Sequence, residues 1–103
     1  MANSTHAFRT RHLRWLILLT LNHARPAGAE DRLVLQVAQG EYADCTRNEL
    51  RRELDYLHKR ELVDLRRPSD GGPWHAELSR HGVDVAEYTV DCEPGIARPE
   101  KYW

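Results

Sequence analysis

No sign of charge prevails in this chain. Its 103 residues carry 15 Lys and Arg against 16 Asp and Glu, a formal net charge of −1 with histidine neutral. Nucleic-acid-binding domains ordinarily show a clear basic excess. Any such role here must therefore come from local clustering of cations and not from the overall field. Cysteine is also scarce. Cys45 and Cys92 lie far apart with no Cys-x-x-Cys pair, which excludes a disulfide-rich framework and a cysteine-based zinc module. Two isolated cysteines in a domain of this size fit reduced thiols and a cytoplasmic location. Long apolar runs are missing too. Trp15 to Leu21, preceded by Arg9, Arg11 and Arg14 and followed by Ala27-Gly28-Ala29, imitates a secretory leader. The run is short, however, and Asn22, His23 and Arg25 follow it directly, which points to a helix of the domain itself. No stretch is long enough to span a bilayer, which needs about 20 apolar residues.

The sequence also lacks the marks of catalysis and of metal binding. There is no glycine-rich phosphate loop, nucleophile elbow or metalloprotease motif. Glu49, Glu53 and Glu61 read as helix-surface residues, and Ser79 as a helix cap. His75 and His81 are six positions apart, with His58 a third candidate, but no His-x-x-x-His pair puts two ligands on one helical face. A non-enzymatic protein without metal or cofactor is expected.

What is present is a succession of amphipathic segments filling one domain. Residues 1–7 are polar and expected to be loose. A first helix is predicted from Phe8 to Ala24, with Leu13, Leu16, Ile17, Thr20, Leu21 and Ala24 on one stripe. Trp15, Leu18 and Leu19 widen that stripe, so this helix should be central or should also face a second subunit. Arg25-Pro26-Ala27-Gly28 breaks it. A second helix is expected from Glu30 to Gln39, burying Leu33, Val34, Val37 and Ala38 and stopping at Gly40.

The most informative stretch is Thr46 to Trp74. Thr46-Arg47-Asn48-Glu49 has the form of a capping box, in which a hydroxyl caps the helix start and the Glu reaches back. The helix it opens, Arg47 to Arg60, has Leu50, Leu54 and Leu57 on one stripe and Asn48, Arg52, Asp55 and Lys59 opposite. Two alternating strands follow, Leu62–Arg67 and Trp74–Leu78, joined by a polar Pro-Ser-Asp-Gly-Gly-Pro turn. Ser79 then caps a short helix from Arg80 to Tyr88, weakened by Gly82. A mainly α chain with one small β-hairpin in this order is the pattern of a winged helix-turn-helix, here over residues 8–90.

That fold makes the third helix the candidate for the major groove. Arg47, Asn48, Arg51, Arg52 and Lys59 are its candidate DNA contacts, and Arg66 and Arg67 are candidate phosphate contacts from the wing. The competing expectation is an ordinary solvated helix, with Glu49 paired to Arg52 and Asp55 to Arg51 and Lys59. Residues 91–103 form a Pro- and Gly-punctuated tail ending in Tyr102 and Trp103. Aromatic residues are enriched at interfaces. Ile96, Tyr102 and Trp103, with Trp15 and Leu18, are therefore the candidate surface for a homodimer or a protein partner. Packing of the tail on its own domain is the alternative.

The runs Leu50-Arg51-Arg52-Glu53-Leu54-Asp55-Tyr56-Leu57 and Trp74-His75-Ala76-Glu77-Leu78-Ser79-Arg80-His81-Gly82 resemble winged-helix regulators at large. With Val83 to Glu87 and the ending Pro94-Gly95-Ile96-Ala97-Arg98-Pro99, the chain resembles a family of small proteins of Mu-like bacteriophages and prophages. The resemblance covers about Arg11 to Trp103, and its specific part is that ending. It implies a phage-encoded winged helix acting in a bacterial host cell as a transcriptional regulator that binds double-stranded DNA. A protein-interaction module of phage assembly or DNA packaging is the alternative. Many winged helices place Gly where this chain has Glu61, a departure that bears on the exit from the third helix.

Overall fold

The computed structural model describes residues 2–101. Helix α1 spans Ala2–His23, β1 Ala29–Glu30, α2 Asp31–Glu41, α3 Arg47–Lys59, β2 Val63–Arg66, β3 His75–Leu78 and α4 Arg80–Ala86. The fold is four helices with a three-stranded antiparallel sheet in the order β1-β3-β2, a winged helix-turn-helix. Two of the predicted elements are corrected by it. Helix α1 starts earlier than Phe8 and includes residues 2–7. With no Gly or Pro before Arg25, a helix nucleated by its buried half propagates outward. The sheet also has a third strand. Ala29 pairs with Ala76 and Glu30 with His75, in front of the β2–β3 hairpin whose register runs from Val63↔Leu78 to Arg66↔His75.

Gly28 makes that extra strand possible. It sits at φ 75°, and a Cβ there would lie 2.4 Å from the Ala76 carbonyl oxygen. Gly82 has the same kind of role between α4 and the end of α3. A Cβ on it would lie 2.1 Å from Leu62 O, so close packing accounts for a residue of poor helix propensity. Gly40, by contrast, does not stop α2. The helix runs through it to Glu41 and closes with Tyr42 N–H on Ala38 O at 2.8 Å.

Helix α1 is the centre of the molecule, packed against α2, α3, α4 and β3. Leu13, Ile17, Leu18 and Leu21 are fully enclosed, facing Leu50, Leu54 and Leu57 of α3 and sharing one core with Val34, Val63, Ala76 and Val85. Burying a side chain of this size contributes about 1.5–3 kcal/mol relative to exposure. Trp15 and Leu18, expected at a subunit interface, are part of this same core at 5% and 0% exposure, so they are not available to a partner. A helix contacted from several sides buries nearly its whole circumference, and that explains the breadth of its apolar stripe.

Ile96 is likewise enclosed within its own domain. Ala97 N–H donates to Arg11 O at 3.0 Å, and Arg14 Nη1 donates to Gly95 O at 2.8 Å. The segment after α4 therefore folds back on α1 of the same chain. Tyr102 and Trp103 lie outside the described residues.

Candidate nucleic-acid interface

Helix α3 opens as its sequence suggests, but its charges go elsewhere. Thr46 Oγ1 accepts from Glu49 N–H at 3.1 Å, half of the capping box. Glu49 does not return the bond. Its carboxylate accepts from Arg9 Nε and Nη2 at 2.9 and 2.8 Å, and Arg9 Nη1 also donates to Asp44 at 2.8 Å. The start of α3 is thereby tied to α1, and the Arg9 guanidinium holds the Asp44 carboxyl below its usual range. Glu53, expected on the surface, is buried and receives Arg14 Nε at 2.7 Å.

The exit of α3 is a Schellman motif. Leu62 N–H donates to Leu57 O at 3.0 Å and Glu61 N–H to His58 O at 2.9 Å, while Glu61 sits at φ 63°. Leu57 and Leu62 are both buried, which supplies the motif's apolar contact. The tight exit that glycine usually serves is thus made with Glu61. It delivers the chain into β2, while Ser79 Oγ donates to Glu61 O at 2.6 Å and accepts from Gly82 N–H at 3.0 Å to cap α4.

The seven nominated contacts divide into two groups. Arg47, Asn48 and Arg52 on α3 and Arg66 on β2 are exposed, and their side chains have no partner among the described residues. Arg51, Lys59 and Arg67 are engaged. Lys59 Nζ lies 3.0 Å and Arg67 Nη2 2.6 Å from the two Asp55 oxygens. Those cations, Lys59 first, hold the Asp55 carboxyl below its usual range. Arg51 turns inward, with 20% of its side chain exposed. Its Nε donates at 2.6 Å to Asp31, which is 1% exposed. The expected Glu49–Arg52 and Asp55–Arg51 pairs are therefore replaced by Glu49–Arg9 and Asp31–Arg51. Helical spacing cannot reveal partners supplied by other elements.

Trp74 joins the wing to this surface. The guanidinium carbons of Arg51 and Arg67 lie 4.6 and 4.8 Å from its ring centroid, within cation–π range. On the outer face of the wing Arg66 pairs in register with His75, beside Asp64↔Glu77. The outer face of the wing thus adds one unpaired cation and two carboxylates. The basic surface is narrower than the sequence suggested.

Two of the three candidate metal-ligating histidines have structural assignments. His58 Nδ1 donates to Val63 O and His75 Nε2 to Ala27 O, both at 3.0 Å. Among the described residues no group of three His, Cys, Asp or Glu is arranged to hold a metal ion. Burial pushes the Cys45 thiol up to about 11, and also raises Cys92, so both are poor nucleophiles. A cleft of about 450 Å³ lies between the end of α1, β3 and α4. It has Arg25 and Arg80 balanced by Glu77 and Asp84, and α3 takes no part in it. No described helix is long and apolar enough to cross a membrane.

No family model matches the chain, and no curated protein matches it. Among solved structures, a protein from Ralstonia eutropha JMP134, provisionally named as DNA-binding, is similar at a TM-score of 0.63. It shares 24% identity and covers 77% of this chain and 95% of its own. At that identity the likeness is one of fold.

Proposed function

We propose that this chain is a non-enzymatic DNA-binding protein that lays α3 in the major groove and sets the β2–β3 wing against the backbone. One observation carries the reading. Arg47, Asn48, Arg52 and Arg66 are exposed on α3 and its adjoining strand, without a partner among the described residues. In contrast, Arg9, Arg14, Arg51, Arg60 and Arg67 are each held by a carboxylate. Arginines left free on a groove-sized helix suit base edges and phosphates. The Ralstonia protein's name points the same way. A role as a transcriptional regulator of phage or prophage origin, acting as a homodimer on double-stranded DNA in the bacterial cytoplasm, rests on the sequence resemblance. Since Trp15, Leu18 and Ile96 are enclosed, that dimer would use other surfaces.

The test is fluorescence anisotropy on duplex DNA. The wild type should bind at low salt, and Arg52→Ala should lose about 1–3 kcal/mol if Arg52 makes a bidentate base contact. No binding at low salt would overturn the proposal. It would leave the second reading, a protein-interaction module in phage assembly or packaging. That reading is favoured by the balanced net charge and by Leu33 and Val37, which are 52% and 46% exposed one turn apart on α2.

A further inference from the structure

We infer that Arg51 is a positioning residue that fixes the wing relative to α3, and that it does not itself read DNA. The inference deepens the DNA-binding proposal and rests on it. Arg51 meets three elements at once. Its Nε donates to Asp31 Oδ2 at 2.6 Å at the start of α2, and its Nη2 donates to Gly72 O at 3.3 Å in the wing tip. Its guanidinium carbon also lies 4.6 Å from the centroid of Trp74, just before β3. A planar guanidinium can hydrogen-bond along its edge while stacking through its face, which a lysine ammonium cannot. The backbone reinforces the junction, because Asp31 N–H donates to Trp74 O at 2.8 Å.

Burial decides whether Arg51 is free to leave. Asp31 is 1% exposed, its Oδ1 has no hydrogen-bond partner, and Arg51 is the side chain that neutralises it among the described residues. Moving Arg51 onto a phosphate would strand a buried carboxylate, a strongly unfavourable exchange. Arg67, which also stacks on Trp74, is paired with the more accessible Asp55 and faces no such barrier. Arg51 is therefore the fixed side of the Trp74 junction and Arg67 the releasable side. The angle at which the wing presents Arg66 follows from the fixed side.

Two variants test this. Arg51→Met in an Asp31→Asn background removes the hook without leaving a buried charge. Trp74→Leu removes the stacking surface while the Arg51–Asp31 pair stays. Amide hydrogen exchange across residues 63–78, without DNA, should quicken at least tenfold in both variants relative to α1 amides. In DNA binding, Arg66→Ala should weaken the wild type several-fold but change either variant less than twofold, since a misplaced wing has nothing to lose. Exchange rising equally in α1 and the wing, or an undiminished Arg66→Ala effect, would overturn the inference. Absence of wild-type DNA binding would overturn the functional proposal instead, and hydrogen exchange would still decide whether Arg51 holds the wing.

Discussion

Two residues show how much a single backbone angle can ask of a side chain. Glu61 and Tyr88 both sit in the left-handed region, at φ 63° and 64°. Each ends a helix, with Leu62 N–H on Leu57 O and Thr89 N–H on Asp84 O. Only one of them has a reason to be large. The Tyr88 hydroxyl donates to Pro99 O at 2.8 Å, and its ring meets Trp15 edge-on with centroids 5.9 Å apart. Glu61 is exposed, and its side chain takes part in no ion pair among the described residues. A left-handed non-glycine residue costs about 1–2 kcal/mol, and the extra chain freedom of an unfolded glycine offsets about 0.5–1 kcal/mol of that. Glu61→Gly should therefore stabilise the domain by about 0.5–1 kcal/mol, seen as a higher urea midpoint at unchanged slope. Tyr88→Gly should destabilise it. A lower midpoint for Glu61→Gly would mean that the strain at this exit is relieved in some other way.

At the scale of elements, legibility followed local patterning. Helix α3, the hairpin and the short α4 could be read because caps, periodicity and turn residues lie within a few positions of one another. Strand β1 could not, since two residues show no alternation and their partners lie more than forty positions on. Glu53 illustrates the same limit. Its place beside the Leu50–Leu54–Leu57 stripe reads as surface, yet it is buried and paired with Arg14 of α1, which also bonds the segment after α4. Arg14 Nε bonds Glu53 at 2.7 Å, its Nη1 bonds Gly95 O at 2.8 Å, and its guanidinium carbon lies 3.4 Å from the Tyr56 ring centroid. Three segments are thus joined through one partly buried ion pair. Arg14→Met should cost about 3–5 kcal/mol, because it leaves Glu53 buried and unpaired. Adding Glu53→Leu should recover most of that loss, since a well-packed apolar pair often replaces a buried ion pair at little cost. Urea denaturation of the two single variants and the double variant gives the coupling. Strict additivity would show that the pair does not act as a unit.

For the whole molecule, the near-zero net charge acquires a spatial meaning. Arg9, Arg14, Arg51, Arg60, Arg67 and Arg98 tie segments of the domain together, while Arg47, Arg52 and Arg66 stay free on α3 and β2 among the described residues. The Ralstonia structure shares the fold at a TM-score of 0.63, but at 24% identity it says nothing about how these charges are distributed. This partition can be measured without knowing the DNA target. Each neutralised phosphate contributes about −0.9 to the slope of log K against log salt on B-DNA. Three engaged arginines would give a slope of about −3, whereas engagement of Lys59 and Arg67 as well would give about −4.5. The measured slope should lie near the smaller value. Asp55→Asn should steepen it by about one to two by releasing Lys59 and Arg67 to phosphates. Arg51→Met in the Asp31→Asn background should not add to it. A wild-type slope already near −4.5 would mean that DNA itself displaces the Asp55 pairs, so that the carboxylate acts as a placeholder that phosphate replaces on binding.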